Sequence, residues 1–66
     1  MKITLNGLSE QVSAGTTVDR LLEAKGLSAR GIAIAVNDEI VGSTNWANTL
    51  LAGGDVIEIV TARQGG

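Results

Sequence analysis

The stretch that decides the fold lies at residues 16–26 and reads TTVDRLLEAKG. It holds a full set of helix signals: a threonine N-cap, acidic Asp19 in the first turn, Lys25 in the last turn and Gly26 beyond it. Three apolar residues recur at helical spacing and form one face: Val18, Leu21 and Leu22. The stretch therefore predicts a helix of about two turns whose apolar face packs on a sheet, with the Lys25 stem along its edge.

A β-hairpin precedes this helix. Residues 1–12 hold two runs of alternating polar and apolar side chains, separated by Asn6-Gly7. Asn-Gly is a strong hairpin signal because both central residues of a type I′ turn need positive φ. A two-residue loop would place Glu10 opposite Ile3 on the apolar face, an unfavourable position that a longer turn would avoid. The sequence thus predicts the hairpin and leaves its register open.

A second hairpin follows the helix. Residues 32–36 alternate large and small apolar side chains, which predicts a strand with its three large residues toward the core. The opposite face then carries Ala33 and Ala35. Residues 37–39 are expected to form the turn, and a short strand is expected at residues 40–41.

A crossover and a final strand complete the pattern. Residues 43–52 are expected to form a single helical turn and an irregular connection, and Gly53-Gly54-Asp55 a turn that needs positive φ. In the last strand, residues 56–60, Ile57 and Ile59 should face inward. The residues left facing outward are Val56, Glu58 and Val60.

The order of elements predicts an α+β fold of the ubiquitin-like β-grasp class. One helix lies across a mixed sheet of four to five strands, because this arrangement buries both apolar faces at once. The last strand is then expected to lie centrally, beside the first. We assign residues 1–62 to this domain and residues 63–66 to a flexible C-terminal tail.

Composition narrows the classes of function. The chain has 66 residues, no Cys, no His, one Trp and a net charge of −2, with 5 basic and 7 acidic residues. An aliphatic core must therefore hold one small domain without disulfides or a thiolate or imidazole metal site. The chain has no basic cluster and no row of aromatic residues, so we expect no nucleic-acid partner. No segment resembles a membrane span or a signal peptide, so we expect a cytoplasmic protein that is monomeric when free.

The tail is the most informative feature for function. Residues 63–66 read RQGG, and two glycines leave an unhindered α-carboxylate that can enter a narrow channel in another protein. Four extended residues reach roughly 13 Å. The alternative interpretation is an ordinary frayed chain end.

Other residues offer little chemistry. Without His or Cys, the common general bases and thiol nucleophiles are missing. Asp38-Glu39 is interpreted as a solvated turn, and Gly53-Gly54 lacks the lysine of a phosphate loop. The carboxylate of Gly66 becomes reactive once it is converted to an acyl-adenylate, which sulfur or an amine can then attack. This chemistry needs a partner enzyme and ATP, so we expect no catalytic residue in this chain.

Two apolar features are candidates for partner contact. Trp46 is expected to be a half-buried anchor whose indole N–H reaches a backbone carbonyl, although a partner contact is the alternative. Outward-facing Val60, beside Ala33 and Ala35, is the better candidate for a binding patch because exposed aliphatic patches mark interfaces.

Over its whole length the chain resembles the ThiS family, the small sulfur carrier proteins of bacterial thiamine biosynthesis. The resemblance rests on motifs in a fixed order: Asn6-Gly7, Gly15-Thr16-Thr17-Val18, Leu21-Leu22, Ala35-Val36-Asn37, Trp46-Ala47, Gly54-Asp55, Ile57-Glu58-Ile59-Val60 and Gln64-Gly65-Gly66. Gly42-Ser43 stands where many members have a Pro-Arg pair, so no charged contact is predicted for that loop.

The resemblance implies roles for residues and partners. An E1-like adenylyltransferase, the activating enzyme, would use ATP to adenylate Gly66, and sulfur from a cysteine desulfurase would convert it to a thiocarboxylate. Thiazole synthase would receive this sulfur. Gly65 and Gln64 would let the tail enter a partner's active site. The docking surface would consist of Val60, Glu58, Ala33 and Ala35. No bound cofactor and no metal are implied.

Three alternatives stay open at this stage. The chain could be the related small subunit of molybdopterin synthase, although those subunits are usually longer and richer in Phe. It could be a protein modifier joined to lysines through Gly66, or an interaction module with an inert tail.

Overall fold

The computed structural model describes residues 1–27 and 30–61 of the chain. Within these ranges the chain forms five strands, one α-helix and one 3₁₀-helix. Their bounds are β1 Lys2–Leu5, β2 Leu8–Gln11, α1 Val18–Ala24, β3 Ile32–Val36, β4 Glu39–Val41, the 3₁₀-helix Ser43–Asn48 and β5 Val56–Thr61. The predicted order of hairpin, helix, hairpin, crossover and strand is confirmed.

The five strands form one mixed sheet in the order β2-β1-β5-β3-β4. The last strand, β5, lies in the centre, parallel to β1 and antiparallel to β3. This is the predicted β-grasp topology, with the last strand beside the first. Since β5 is central, its last residue, Thr61, lies within the sheet and not at its edge.

The core lies between the sheet and α1. It consists of Ile3, Leu5, Val18, Leu21, Leu22, Ile34, Trp46, Leu51 and Ile57. We call the sheet surface that packs against α1 the inner face and the opposite surface the outer face. Alternation along each strand assigns residues to these faces as the sequence predicted, with Ile34 and Ile57 fully buried on the inner face.

Both hairpins turn on two residues with positive φ. The first loop is Asn6 (φ 50°) and Gly7 (φ 84°), and the second is Asn37 (φ 52°) and Asp38 (φ 70°). Such angles are typical of the type I′ turn, whose twist matches that of the flanking strands. The second turn is one residue shorter than predicted, because Glu39 already pairs with Val36.

The register of the first hairpin is the one that looked unfavourable from the sequence. Glu10 lies opposite Ile3, on the inner face. Its carboxylate is partly exposed and forms an ion pair with the Nζ of Lys25, at the C-terminal end of α1. The edge position of β2 keeps this pair in contact with water, so the carboxylate retains solvation and a partner.

The two ends of α1 differ from each other. At the start, Thr17 occupies the N-cap position, which confirms the predicted threonine N-cap. Its hydroxyl makes no capping bond to the backbone and donates to the Asp19 carboxylate instead. At the end, Gly26 has φ 70° and its N–H donates to the Glu23 carbonyl. Together with a bond from Leu27 to Leu22, this forms the Schellman motif that a C-terminal glycine favours.

Trp46 anchors the crossover. Its side chain is buried in the core, and its Nε1–H donates to the Val41 carbonyl at 2.9 Å. The ring therefore ties the 3₁₀-helix to the end of β4, and the anchor interpretation is confirmed.

Candidate functional site

The candidate site is an apolar area on the outer face, over β3 and β5. Val60 lies opposite Ala33 and Glu58 lies opposite Ala35 in the antiparallel pairing of these strands. Val60 is 63% exposed. The structure thus brings together the four residues that the sequence predicted for partner docking; their docking role stays a prediction.

Two further residues, not among the predicted site residues, extend this area. Ile40 of β4 is 76% exposed and lies opposite Ala35, while Val56 of β5 is 45% exposed. The register of the second hairpin could have revealed Ile40, because a two-residue turn at Asn37-Asp38 places it on the outer face. We call the full set the outer patch: Ala33, Ala35, Ile40, Val56, Glu58 and Val60.

The outer patch contains a shallow depression at the end of β5. Its lining is Gly31, Ile32, Ala33 and Val60, and its volume is about 330 Å³. Ile32 pairs with Thr61, the last residue of β5. The depression therefore lies beside the last residue of β5.

The reactive tail follows directly. Gln64, Gly65 and Gly66 lie outside the described residues, as does the boundary predicted between residues 62 and 63. Five fully extended residues span at most about 18 Å.

The remaining candidates keep their structural interpretation. Asp38 lies in the second hairpin turn and Glu39 begins β4, both exposed. Gly54 has φ 90°, so the glycine pair serves a turn, as predicted. Across residues 1–27 and 30–61 no group of three or more His, Cys, Asp or Glu side chains is placed to hold a metal ion. In the same ranges no helix is long and apolar enough to cross a membrane.

Comparison with known proteins identifies the family. The model of the ThiS family matches residues 3–66, nearly the whole chain and its final glycine. The chain belongs to the ThiS family. The predicted family is therefore confirmed, and with it the role of a sulfur carrier in thiamine biosynthesis.

Individual relatives agree with this assignment. The sulfur carrier protein ThiS of Escherichia coli is 36% identical over 66 residues, which is the full length of both chains. ThiS of Thermus thermophilus is 33% identical over 64 residues, or 97% of this chain and 98% of that one. A thiazole synthase of Paramagnetospirillum magneticum is 38% identical over all 66 residues, and the chain spans a fifth (20%) of that relative's length.

A solved structure shows the same fold. The crystal structure of the thiamine biosynthesis protein ThiS of Geobacter metallireducens superposes with a TM-score of 0.87 at 26% identity, covering all of both chains. The β-grasp architecture predicted from the sequence is thereby confirmed in this family.

Proposed function

We propose that Gly66 is the sulfur-carrying residue of this ThiS protein. The carboxylate would be adenylated, converted to a thiocarboxylate and used to supply sulfur for the thiazole ring of thiamine. The observation that carries the proposal is the family match, which extends through the terminal glycine at residue 66.

The chemistry proceeds in two substitutions. A carboxylate oxygen of Gly66 attacks the α-phosphorus of ATP and pyrophosphate leaves, which gives an acyl-adenylate. A sulfur nucleophile then attacks the acyl carbon and AMP leaves, so that a C–S bond replaces the C–O bond to phosphate. If the donor is a persulfide, a thiol must afterwards cleave the S–S bond to release the thiocarboxylate.

The fold supports such a use of the terminus. The tail follows the central strand β5, whose first residues pair with both β1 and β3 and whose last residues pair with β3, so the tail is attached to a strand inside the sheet. The domain itself supplies no His or Cys. We infer that the carrier acts as a substrate of its partners and is not itself an enzyme, with ATP consumed by the activating enzyme.

The outer patch is the proposed docking surface. Three of its side chains, Ile40, Val56 and Val60, are large, apolar and exposed, and the patch borders the exit of the tail. An enzyme that covers it would receive the tail with Gln64 and Gly65 leading Gly66 into its active site. The proposed partners are an E1-like adenylyltransferase and thiazole synthase, with a cysteine desulfurase as indirect sulfur source.

One relative supports the second partner. The thiazole synthase of Paramagnetospirillum magneticum contains a segment similar to this entire chain. The presence of a segment similar to this chain within a thiazole synthase favours a thiazole synthase as the acceptor of sulfur here. The reaction would take place in the cytoplasm, with the carrier monomeric between encounters.

Intact-mass spectrometry tests the proposal. The protein is incubated with its host's activating enzyme, ATP and a sulfur source, and the C-terminal peptide is then sequenced. We expect a mass increase equal to the difference between sulfur and oxygen, located on Gly66. An unmodified terminus in the presence of enzyme proven active on another carrier would contradict the proposal.

Deletion of Gly66 is the matched control. The shortened chain should show no sulfur-dependent mass change, because its terminal carboxylate ends one residue short of the reaction centre. Its melting temperature should equal that of the full chain, since the described core ends before the tail. A lower melting temperature would show that the tail contributes to the fold.

A further inference from the structure

The side chain of Asn6 continues the hydrogen-bond ladder between β1 and β5 past the end of β1. Its Oδ1 accepts the Ile59 N–H at 2.8 Å, and its Nδ2 donates to the Ile59 carbonyl at 3.3 Å. The Asn6 backbone N–H donates to the Ile57 carbonyl at 2.9 Å. One residue of the turn therefore makes three bonds to the last strand.

These bonds replace a missing step of the sheet. In a regular parallel ladder the Ile59 N–H would donate to the backbone carbonyl of residue 6, and the Ile59 carbonyl would accept from residue 8. The positive φ of Asn6, 50°, turns its carbonyl out of the ladder as β1 enters the hairpin. The primary amide supplies one acceptor and one donor in its place.

Asn37 does the same at the other end of β5. It also begins a two-residue turn, with φ 52°, and its Oδ1 accepts the Val56 N–H at 2.9 Å. Its backbone N–H donates to the Val56 carbonyl at 2.7 Å and its Nδ2 donates to the Asp55 carboxylate at 3.0 Å. The two asparagines thus hold opposite ends of the central strand, and the end held by Asn6 is the one that leads into the tail.

We infer that Asn6 is a positioning residue for the carrier reaction, which fixes the direction in which the chain leaves the sheet toward Gly66. The inference rests on the proposed function of the tail. Beyond Leu5, β1 supplies no further paired residue to β5. Without the Asn6 amide, Ile59, two residues before the end of β5, would be held on the β3 side alone.

The physical consequence is a wider range of tail directions. Adenylation requires the Gly66 carboxylate to approach ATP in one orientation. A tail whose attachment to β5 is loosely held spends less time in that orientation. Asn6 follows β1 and is not one of the residues of the outer patch. Loss of the Asn6 amide should therefore lower kcat for adenylation and leave KM for the carrier nearly unchanged.

The experiment compares Asn6→Gly with Asn37→Gly. Glycine accepts positive φ without strain, so each variant removes an amide and keeps its turn. Each loses two side-chain hydrogen bonds at one end of β5, and we expect both melting temperatures to fall by a similar amount, roughly 5 °C. Adenylation is measured as pyrophosphate release with the host's activating enzyme, at a temperature where all variants are folded.

We expect kcat of Asn6→Gly to fall roughly three- to ten-fold with KM within about two-fold of the parent, and Asn37→Gly to match the parent in both. Amide exchange should accelerate at Ile59 in Asn6→Gly and at Val56 in Asn37→Gly. Equal kcat values for the two glycine variants would overturn the inference. A parent protein that is not adenylated at all would instead overturn the proposed function.

Asn6→Asp provides the rescue and a second test if the glycine variant does not fold. Aspartate tolerates positive φ and keeps an oxygen to accept the Ile59 N–H, but it loses the donor to the Ile59 carbonyl. We expect its kcat to lie within about two-fold of the parent. A kcat as low as that of Asn6→Gly, with Ile59 exchange still slow, would show that holding Ile59 is not what the reaction needs.

Discussion

The two faces of the sheet use the same strands for different purposes. On the inner face Ile34 and Ile57 are fully buried, whereas on the outer face Ile40 and Val60 are 76% and 63% exposed. Burial of a large aliphatic side chain contributes about 1.5–3 kcal/mol to folding, and exposed ones contribute little. Stability and the proposed recognition therefore reside in separate sets of residues, although these sets alternate along single strands.

This separation suits the proposed encounters of the carrier with its partner enzymes. A partner can cover the outer patch without disturbing the core, because no residue of the patch belongs to the buried cluster. The proposed docking would thus leave the buried cluster unchanged.

Ile57→Ala should have the largest effect on stability and defines the inner face. Removing a fully buried side chain from the centre of the core should cost about 2–5 kcal/mol, a large share of the stability of a small domain. Urea unfolding followed by circular dichroism measures this loss. Val60→Ala, its exposed counterpart on the same strand, should cost less than about 1 kcal/mol; equal losses would erase the distinction between the two faces.

Trp46→Phe comes next. It leaves the Val41 carbonyl without the indole N–H and creates a small cavity, so we expect a loss of about 1–3 kcal/mol in the free energy of unfolding. Adenylation, measured at a temperature where the variant is folded, should be unchanged. A reduced adenylation rate in the folded variant would assign Trp46 a contact with the activating enzyme.

Val60→Asp tests the outer face. We expect a stability loss of about 1 kcal/mol or less, because aspartate is disfavoured in strands and Glu58 lies nearby. We also expect KM for the activating enzyme to rise at least roughly ten-fold. Steady-state adenylation and thermal melts measure the two effects. Val60→Thr keeps the branched shape and serves as the control, with an intermediate KM. Unfolding by Val60→Asp, or an unchanged KM, would argue against the docking role.

Glu10→Gln should have the smallest effect on stability and tests the ion pair at the edge strand β2. The partly exposed ion pair with Lys25 should contribute no more than about 1 kcal/mol, and its contribution should shrink as salt is added. Urea unfolding at low and high salt measures the difference. A loss of several kcal/mol that persists at high salt would mean that the carboxylate is part of the core.

Features that depend on neighbouring residues were predictable from the sequence. The Asn-Gly turn, the helix that ends at Gly26 and the inward Ile57 each follow from a local angle or a period of two or 3.6 residues. Within the candidate site, the alternation along β3 and β5 likewise predicted that Ala33, Ala35, Glu58 and Val60 share one face.

Features that depend on distant partners were missed or left open. The first hairpin keeps Glu10 on the inner face because Lys25, fifteen positions later in the numbering, lies over it. Ile40 joins the outer patch through pairing across two strands. The Asn6 amide bonds to Ile59, which lies 53 residues later in the sequence, and no local pattern predicts such a bond.

By itself, the sequence determined the element types, the side of each strand that faces the core and, through its family motifs and Gly-Gly end, the carrier role. Those follow from backbone preferences and from chemistry that a few adjacent residues carry. Only the tertiary structure decided which charges meet, where the exposed aliphatic residues converge and how the exit of β5 is held. These outcomes depend on contacts between residues far apart in the chain, which form only when the sheet and the helix assemble together.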